Sequence, residues 1–164
     1  MTLSEFFKKE KIEYYVACPI SEVRVINRDQ LRRATEGLEP DTAVCFIVSY
    51  YCGKESVGNI SRYAMARDYH IYFRELFSRL REECDLKFAG FSDNSPIAEV
   101  ELAARLGLGV VGRNRLLINE KYGSFVFIGE LLTEGDAGLG TVKVGDVRCC
   151  PGCGVCEECC PPVR

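Results

Sequence analysis

The sequence predicts an α+β domain that leads into a metal-binding cysteine segment. Three observations carry this reading: a strand-like run at Thr42–Tyr51 that is apolar on both faces, a helical apolar stripe from Tyr69 to Cys84, and six cysteines crowded between Cys149 and Cys160.

Taken in order, Ser4 is placed to cap a helix running to about Lys11, with Leu3, Phe6 and Phe7 on one side. Glu13–Ile20 is rich in β-formers and reads as a strand. Asp29–Gly37 reads as a short helix ending at glycine. Thr42–Tyr51 has no polar face, so it belongs in the middle of a sheet. Gly53–Ser61 is a polar loop. In Asp68–Cys84 the residues Tyr69, Tyr72, Phe73, Leu76, Phe77, Leu80 and Cys84 recur at helical spacing. Leu86–Phe91 reads as a strand, and Ser95-Pro96 as the cap and first turn of a helix that stops at Gly107. Arg115–Asn119 and Ser124–Leu132 flank a Glu-Lys-Tyr-Gly turn and predict a β-hairpin. The glycine-rich stretch Gly135–Gly145 loops out to the cysteines. The predicted division is residues 1–148 as the α+β domain and 149–164 as the start of a cluster segment.

Composition sets limits. Of the 164 residues, 47% are hydrophobic, which is enough to bury a core and argues against disorder. A net charge of −3 gives no general attraction to polyanions. Charges interrupt the first ten residues too early for a signal peptide, and the longest apolar run is too short to span a bilayer. The expectation is a cytoplasmic protein with no membrane partner.

Cys150, Cys153, Cys156 and Cys160-Pro161 fit C-x2-C-x2-C-x3-C-P, the ferredoxin-type run that holds a [4Fe–4S] cluster. Three thiolates spaced two residues apart let one loop wrap three corners of a cube, and Gly152 and Gly154 permit the tight backbone. Zinc is the rival reading, although its knuckles usually stand further apart; a disulfide pair is a third. In two-cluster ferredoxins the fourth cysteine of such a run serves the other cluster. The sequence therefore leaves two expectations open: a second run beyond Arg164, or closure of a single cluster by Cys149, Cys159 or Cys160.

Three further segments precede this run: Arg62-Tyr63-Ala64 through Asp68-Tyr69-His70, Asp93-Asn94-Ser95-Pro96-Ile97-Ala98-Glu99, and Leu106-Gly107-Leu108-Gly109 through Gly112-Arg113-Asn114, continued by Gly123-Ser124-Phe125. In this order they resemble the epoxyqueuosine reductase family, which has RYA-x-x-x-DYH, D-x-x-P-x-x-E, GLG-x-x-G-[KR]-N and GS-[WF] segments. The likeness covers about residues 40–161. It implies a nitroreductase-like, cobalamin-processing-like α+β sandwich that reduces the epoxide of epoxyqueuosine in tRNA, using cobalamin and [4Fe–4S] clusters fed by an electron-donor protein. It also implies that Asp93 supplies the proton. Val100 stands where the family has arginine, and Val110 where it has an aromatic residue.

Each residue also has a plainer role. Asp93 could be an outer cap of the following helix, or a partly desolvated proton donor. His70 could be a packing residue or a cofactor ligand. Arg62 and Arg67 could bind phosphate groups or pair with surface carboxylates. Tyr63 and Asn114 are cofactor candidates by resemblance alone. Gly107, Gly109 and Gly112 could admit a cofactor or merely end a helix and turn. Cys18, Cys45, Cys52 and Cys84 read as small core residues. Besides an enzyme, the residues allow an electron-carrier module without cobalamin chemistry, and a zinc-stapled structural domain.

Overall fold

A computed structural model describes residues 1–51, 53 and 60–160; Cys52, most of the polar loop after it and Pro161 lie outside the described residues. The elements are α1 (Leu3–Lys9), β1 (Tyr14–Pro19), α2 (Arg28–Ala34), β2 (Thr42–Ser49), α3 (Tyr69–Glu83), β3 (Phe88–Phe91), α4 (Glu99–Arg105), β4 (Val110–Val111), β5 (Leu117–Ile118), β6 (Val126–Thr133) and α5 (Val155–Glu158). Four strands form an antiparallel sheet in the order β1-β2-β6-β3, and β4 and β5 form a separate two-stranded ladder. The class is α+β.

The alternation along β2 explains the layering. Ala43, Cys45 and Ile47 face one side of the sheet and pack with Ile97, Leu102 and Leu132 beneath α4. Val44 and Phe46 face the other side and pack with Phe6, Phe7, Phe73, Leu76 and Leu131 under α1 and α3. A strand covered on both sides needs no polar face, which is why Thr42–Tyr51 lacks one.

Local chemistry moves several boundaries. The cap of α1 is Thr2, not Ser4: its hydroxyl accepts from Glu5 N at 3.2 Å, while Glu5 accepts from Thr2 N at 2.8 Å. Ser4 instead meets the Tyr15 hydroxyl at 3.0 Å. Asn27 caps α2, and Asp68 caps α3. The helix expected from Ser95-Pro96 begins only at Glu99. The Pro96 carbonyl accepts from Ile26 N and Asn27 N, and Ile97 bridges Val25, so these residues are held extended. The predicted hairpin is half right. Asn119 and Gly123 close the turn with two 2.9 Å hydrogen bonds, but β5 then pairs with β4, while β6 fills the gap between β2 and β3. Among the described residues no helix is long and apolar enough to cross a membrane.

Gly129 marks the tightest point of the core. A Cβ there would lie 2.3 Å from Phe46 Cζ and 2.6 Å from Phe73 Cε1, both on fully buried rings. Gly129→Ala should lower stability by roughly 1–3 kcal/mol through overpacking. Chemical denaturation checks this, and an unchanged midpoint would mean that the rings have room to move.

Candidate active site

A cavity of about 290 Å³ opens where α3, the β3–α4 turn and the start of β6 meet. Val126, Phe127 and Ile128 with Leu116 and Leu117 make an apolar wall, and Tyr63, Tyr69, Asp93 and Glu99 supply the polar groups.

Asp93 sits in the turn between β3 and α4 with φ 68°, a left-handed conformation that aspartate tolerates better than most residues. Its backbone carbonyl accepts from Ser95 N at 2.8 Å. Its carboxylate accepts from the Tyr69 hydroxyl at 2.8 Å, so the side chain is bound to α3 rather than capping the helix that follows. Tyr69 is stacked between the His70 ring, 4.0 Å away, and the Phe127 ring, 4.7 Å away. Burial, and then the hydrogen bond to Asp93, push the Tyr69 phenol up to about 12, so it remains a donor.

His70 is exposed, not packed in the core. It has carboxylate neighbours on both ring nitrogens. Its Nδ1 lies 3.0 Å from Asp68 Oδ1, and its Nε2 lies 3.9 Å from Asp93 Oδ2. The imidazole thus stands between two carboxylates, hydrogen-bonded to Asp68 and near Asp93. Asp68 accepts from the His70 backbone N–H as the α3 cap, which with the His70 ring holds its carboxyl below the usual range.

The expected desolvation of Asp93 falls elsewhere, since its side chain is 64% exposed. Behind it stand two carboxyls, one half-buried and one fully buried. Glu99 opens α4, and Glu130 lies in the middle of β6, opposite Cys45 on β2 and Phe91 on β3. Glu130 is fully buried; Ser95 donates a short hydrogen bond to its Oε2, and its Oε1 has no partner. Glu99 Oε2 is likewise buried without a partner. Burial, reinforced by the Asp93 charge, raises Glu99 to about 7. Burial, reinforced by Glu99 and opposed by Ser95, raises Glu130 to about 8. The sequence did carry one signal for Glu130: a lone carboxylate inside the apolar run Phe125–Leu132.

Other predicted residues separate from this cavity. The Arg62 guanidinium lies over the Tyr51 and Phe125 rings at 5.5 and 5.2 Å, a cation–π contact that neither sequence reading anticipated. Arg67 forms a two-pronged pair with Glu75. Tyr63 does line the cavity. Gly107 and Gly109 border a second cavity of about 240 Å³ with Asn119 and Arg148. At Gly109 a Cβ would meet the Ile118 carbonyl at 2.6 Å, and at Gly112 it would meet Asn114 Oδ1 at 2.3 Å. Asn114 uses that same oxygen to accept from Leu116 N.

This glycine-rich turn adjoins the cysteine segment. Val111 N donates to Arg148 O at 2.8 Å, Cys150 N donates to Val111 O at 3.0 Å, and Arg113 pairs with Glu157 at 2.8 Å. Cys150 is half-buried, and Cys153, Cys156 and Cys160 are exposed with thiols free. Gly152 and Gly154 have φ of 76° and 84°, so the backbone between the first three thiols is already coiled. Among the described residues no three metal-ligating side chains converge as placed.

The fold is that of the epoxyqueuosine reductases. The enzyme from Streptococcus thermophilus superposes with a TM-score of 0.68 at 18% identity, over 96% of this chain and 50% of the other. An epoxyqueuosine reductase bound to an epoxyqueuosine-modified tRNA-Tyr stem loop gives 0.60 at 16% identity, over 94% of this chain and 50% of the other. No family model matches the chain. Epoxyqueuosine reductase from Escherichia coli is 39% identical over 108 residues, covering 63% of this chain and 27% of the relative. That from Leadbetterella byssophila is 33% identical over 139 residues, covering 79% and 44%. The chain belongs to the epoxyqueuosine reductase family and spans about half the length, or less, of the relatives it matches.

Glu99 and Glu130 make stability depend on pH. Both hold their protons more tightly in the folded chain than at the ordinary value of 4.5. Between about pH 4.5 and 8 the folded state therefore binds more protons than the unfolded one, and stability falls as pH rises through that window. Thermal melts from about pH 5 to about pH 9 should show this decline, and Glu130→Gln should flatten it. An identical slope in the variant would mean that Glu130 titrates normally.

Proposed function

We propose that the chain is the catalytic part of an epoxyqueuosine reductase, reducing the epoxide of epoxyqueuosine in tRNA to an alkene at the Asp93 cavity. The observation that carries this reading is the Tyr69–Asp93–His70 constellation at the mouth of an apolar cavity, in a chain whose sequence relatives and structural neighbours bear that enzyme's name. An electron carrier has no use for a held carboxylate at such a mouth.

Residues 1–148 are assigned as a nitroreductase-like, cobalamin-processing-like sandwich, supported by the sheet covered on both faces. Residues 149–164 are assigned as the start of a ferredoxin-type segment. The donor set fits a [4Fe–4S] cluster: soft thiols of Cys150, Cys153, Cys156 and Cys160 with left-handed glycines between them. The wall of Val126, Phe127, Ile128 and Leu117 fits the apolar face of a corrin, with Tyr63 beside it and His70 in the adjoining cavity that Tyr63 and Tyr69 also line. When bound, the cluster and cobalamin supply the two electrons of the reduction, drawn from an electron-donor protein. Gly107, Gly109, Gly112 and Asn114 serve the junction with the cysteine segment, since they shape the turn to which Cys150 is hydrogen-bonded.

The chain's own residues handle the proton. Tyr69 orients the Asp93 carboxyl, and His70, anchored by Asp68, sets its charge environment. Asp93 gives its proton to the oxygen as the C–O bond breaks. Phe127 and Tyr69 keep water from the apolar wall.

Asp93→Asn keeps the left-handed turn, which asparagine also tolerates, and should change stability by less than about 0.5 kcal/mol. It should lower turnover by roughly 10²–10⁴-fold with a strong chemical reductant. Full turnover by Asp93→Asn would end the proton-donor assignment. Separately, protein reconstituted anaerobically should bind about four iron and four sulfide per cluster formed. Stoichiometric zinc without sulfide, in protein never exposed to excess zinc, would replace the cluster reading with a structural one.

A further inference from the structure

Removing an epoxide oxygen as water consumes two protons with the two electrons, leaving an alkene. Asp93 can hold only one proton. The structure has two further carboxyls in line behind it and no other evident use for them. Glu99 shares the cavity with Asp93, and its inner oxygen, Oε2, is buried without a partner. Glu130 is deeper still, on the central strand, fully buried, with one oxygen bonded to Ser95 and the other unpartnered. A buried carboxylate with an orphaned oxygen is costly, and a protonated carboxyl is much less so.

The groups around this pair are Asp93 and Ser95 from the turn, Tyr63 and Tyr69 lining the same cavity, and Cys45 from β2. Among the described residues no cation acts on either carboxyl. Only the Ser95 hydroxyl at Glu130 and the Asp93 backbone N–H at Glu99 favour the charged forms, and burial outweighs both, so the site retains protons.

We propose that Glu99 and Glu130 form a buried proton reservoir for Asp93, with Glu99 reprotonating Asp93 between the two proton transfers and Glu130, through its place beside Ser95 and Glu99, refilling Glu99. In each transfer an O–H bond on one carboxyl breaks as one forms on the next, so a proton moves inward to outward and no electron moves with it. The first proton leaves Asp93 for the oxygen; the second reaches the same oxygen through Asp93 from Glu99, and water departs. Solvent restores the pair after turnover. The proposal rests on the reading of Asp93 as proton donor. Both glutamates act through Asp93: Glu99 from within the same cavity, and Glu130 from the strand behind it.

The test has two arms. In the first, infrared and carbon-13 spectra of the chain without cofactors are followed from about pH 5 to about pH 9. Two protonated carboxyl signals should be present at about pH 6, well above the ordinary carboxyl range, one lost in Glu99→Gln and the other in Glu130→Gln. Two ionised carboxylates at about pH 6 would overturn the proposal whatever the activity. In the second, the pH profile of turnover is measured for the full-length, reconstituted enzyme. Glu99→Gln should lower kcat by about tenfold or more, a fraction of what a general acid contributes, leave KM unchanged and move the alkaline limb to lower pH. Glu99→Asp should restore part of the rate. If Asp93→Asn is inactive while Glu99→Gln keeps the wild-type profile, the reservoir fails and the donor assignment stands. If Asp93→Asn is fully active, the donor assignment fails first. Glu130→Gln replaces an acid by an amide of the same shape, so it tests the inner site without opening a void.

Discussion

The antiparallel pairing of Thr42–Ser49 with Val126–Thr133 governs the rest of the molecule. Eight residues of each strand are in register, from Thr42 opposite Thr133 to Ser49 opposite Val126. That pairing puts apolar side chains on both sides of the sheet and so creates two cores, one under α1 and α3 and one under α4. It also fixes which face each residue of β6 takes. Phe127 and Gly129 go to the α3 side, where Phe127 supports Tyr69, and Glu130 goes to the α4 side, where it meets Ser95. A slip of one residue would exchange these faces and dismantle both the core and the carboxyl pair.

The parts legible in the sequence are those in which local pattern and tertiary demand agree. The unbroken apolar run of β2 and the helical stripe of α3 are of this kind, and the structure places both as read. The α4 start was misread because Ser-Pro is a sound local signal for a helix, while the Pro96 carbonyl is claimed by Ile26 and Asn27, some seventy residues away. The 119–123 turn was found, but its two arms belong to different sheets, and no short-range pattern records that.

The site divides in the same way. Asp93 and His70 were visible as motif residues, but their partners were not, because Tyr69 reads as one more aromatic on a core stripe. The glycine motif was visible too, although in the fold it borders a different cavity and shapes the turn that moors Cys150. Motif order along the chain says nothing about which motifs share a space. Glu130 escaped because a charged residue within a strand is usually at an exposed position, and only the order of the sheet shows that this one is not.

The left-handed backbone at Asp93 sets this carboxyl apart from the two glutamates in how it is held. The two glutamates are carried by a helix and a central strand, and any displacement of them would tear a packed layer. Asp93 is carried by a short turn closed by the Asn94–Ser92 and Ser95–Asp93 backbone hydrogen bonds, and outside it by the Tyr69 phenol, the His70 ring 3.9 Å away and the side chain of Gln30. Asp93 is therefore the carboxyl whose placement rests on the fewest contacts, while Glu99 and Glu130 are fixed by the packing of the elements that carry them.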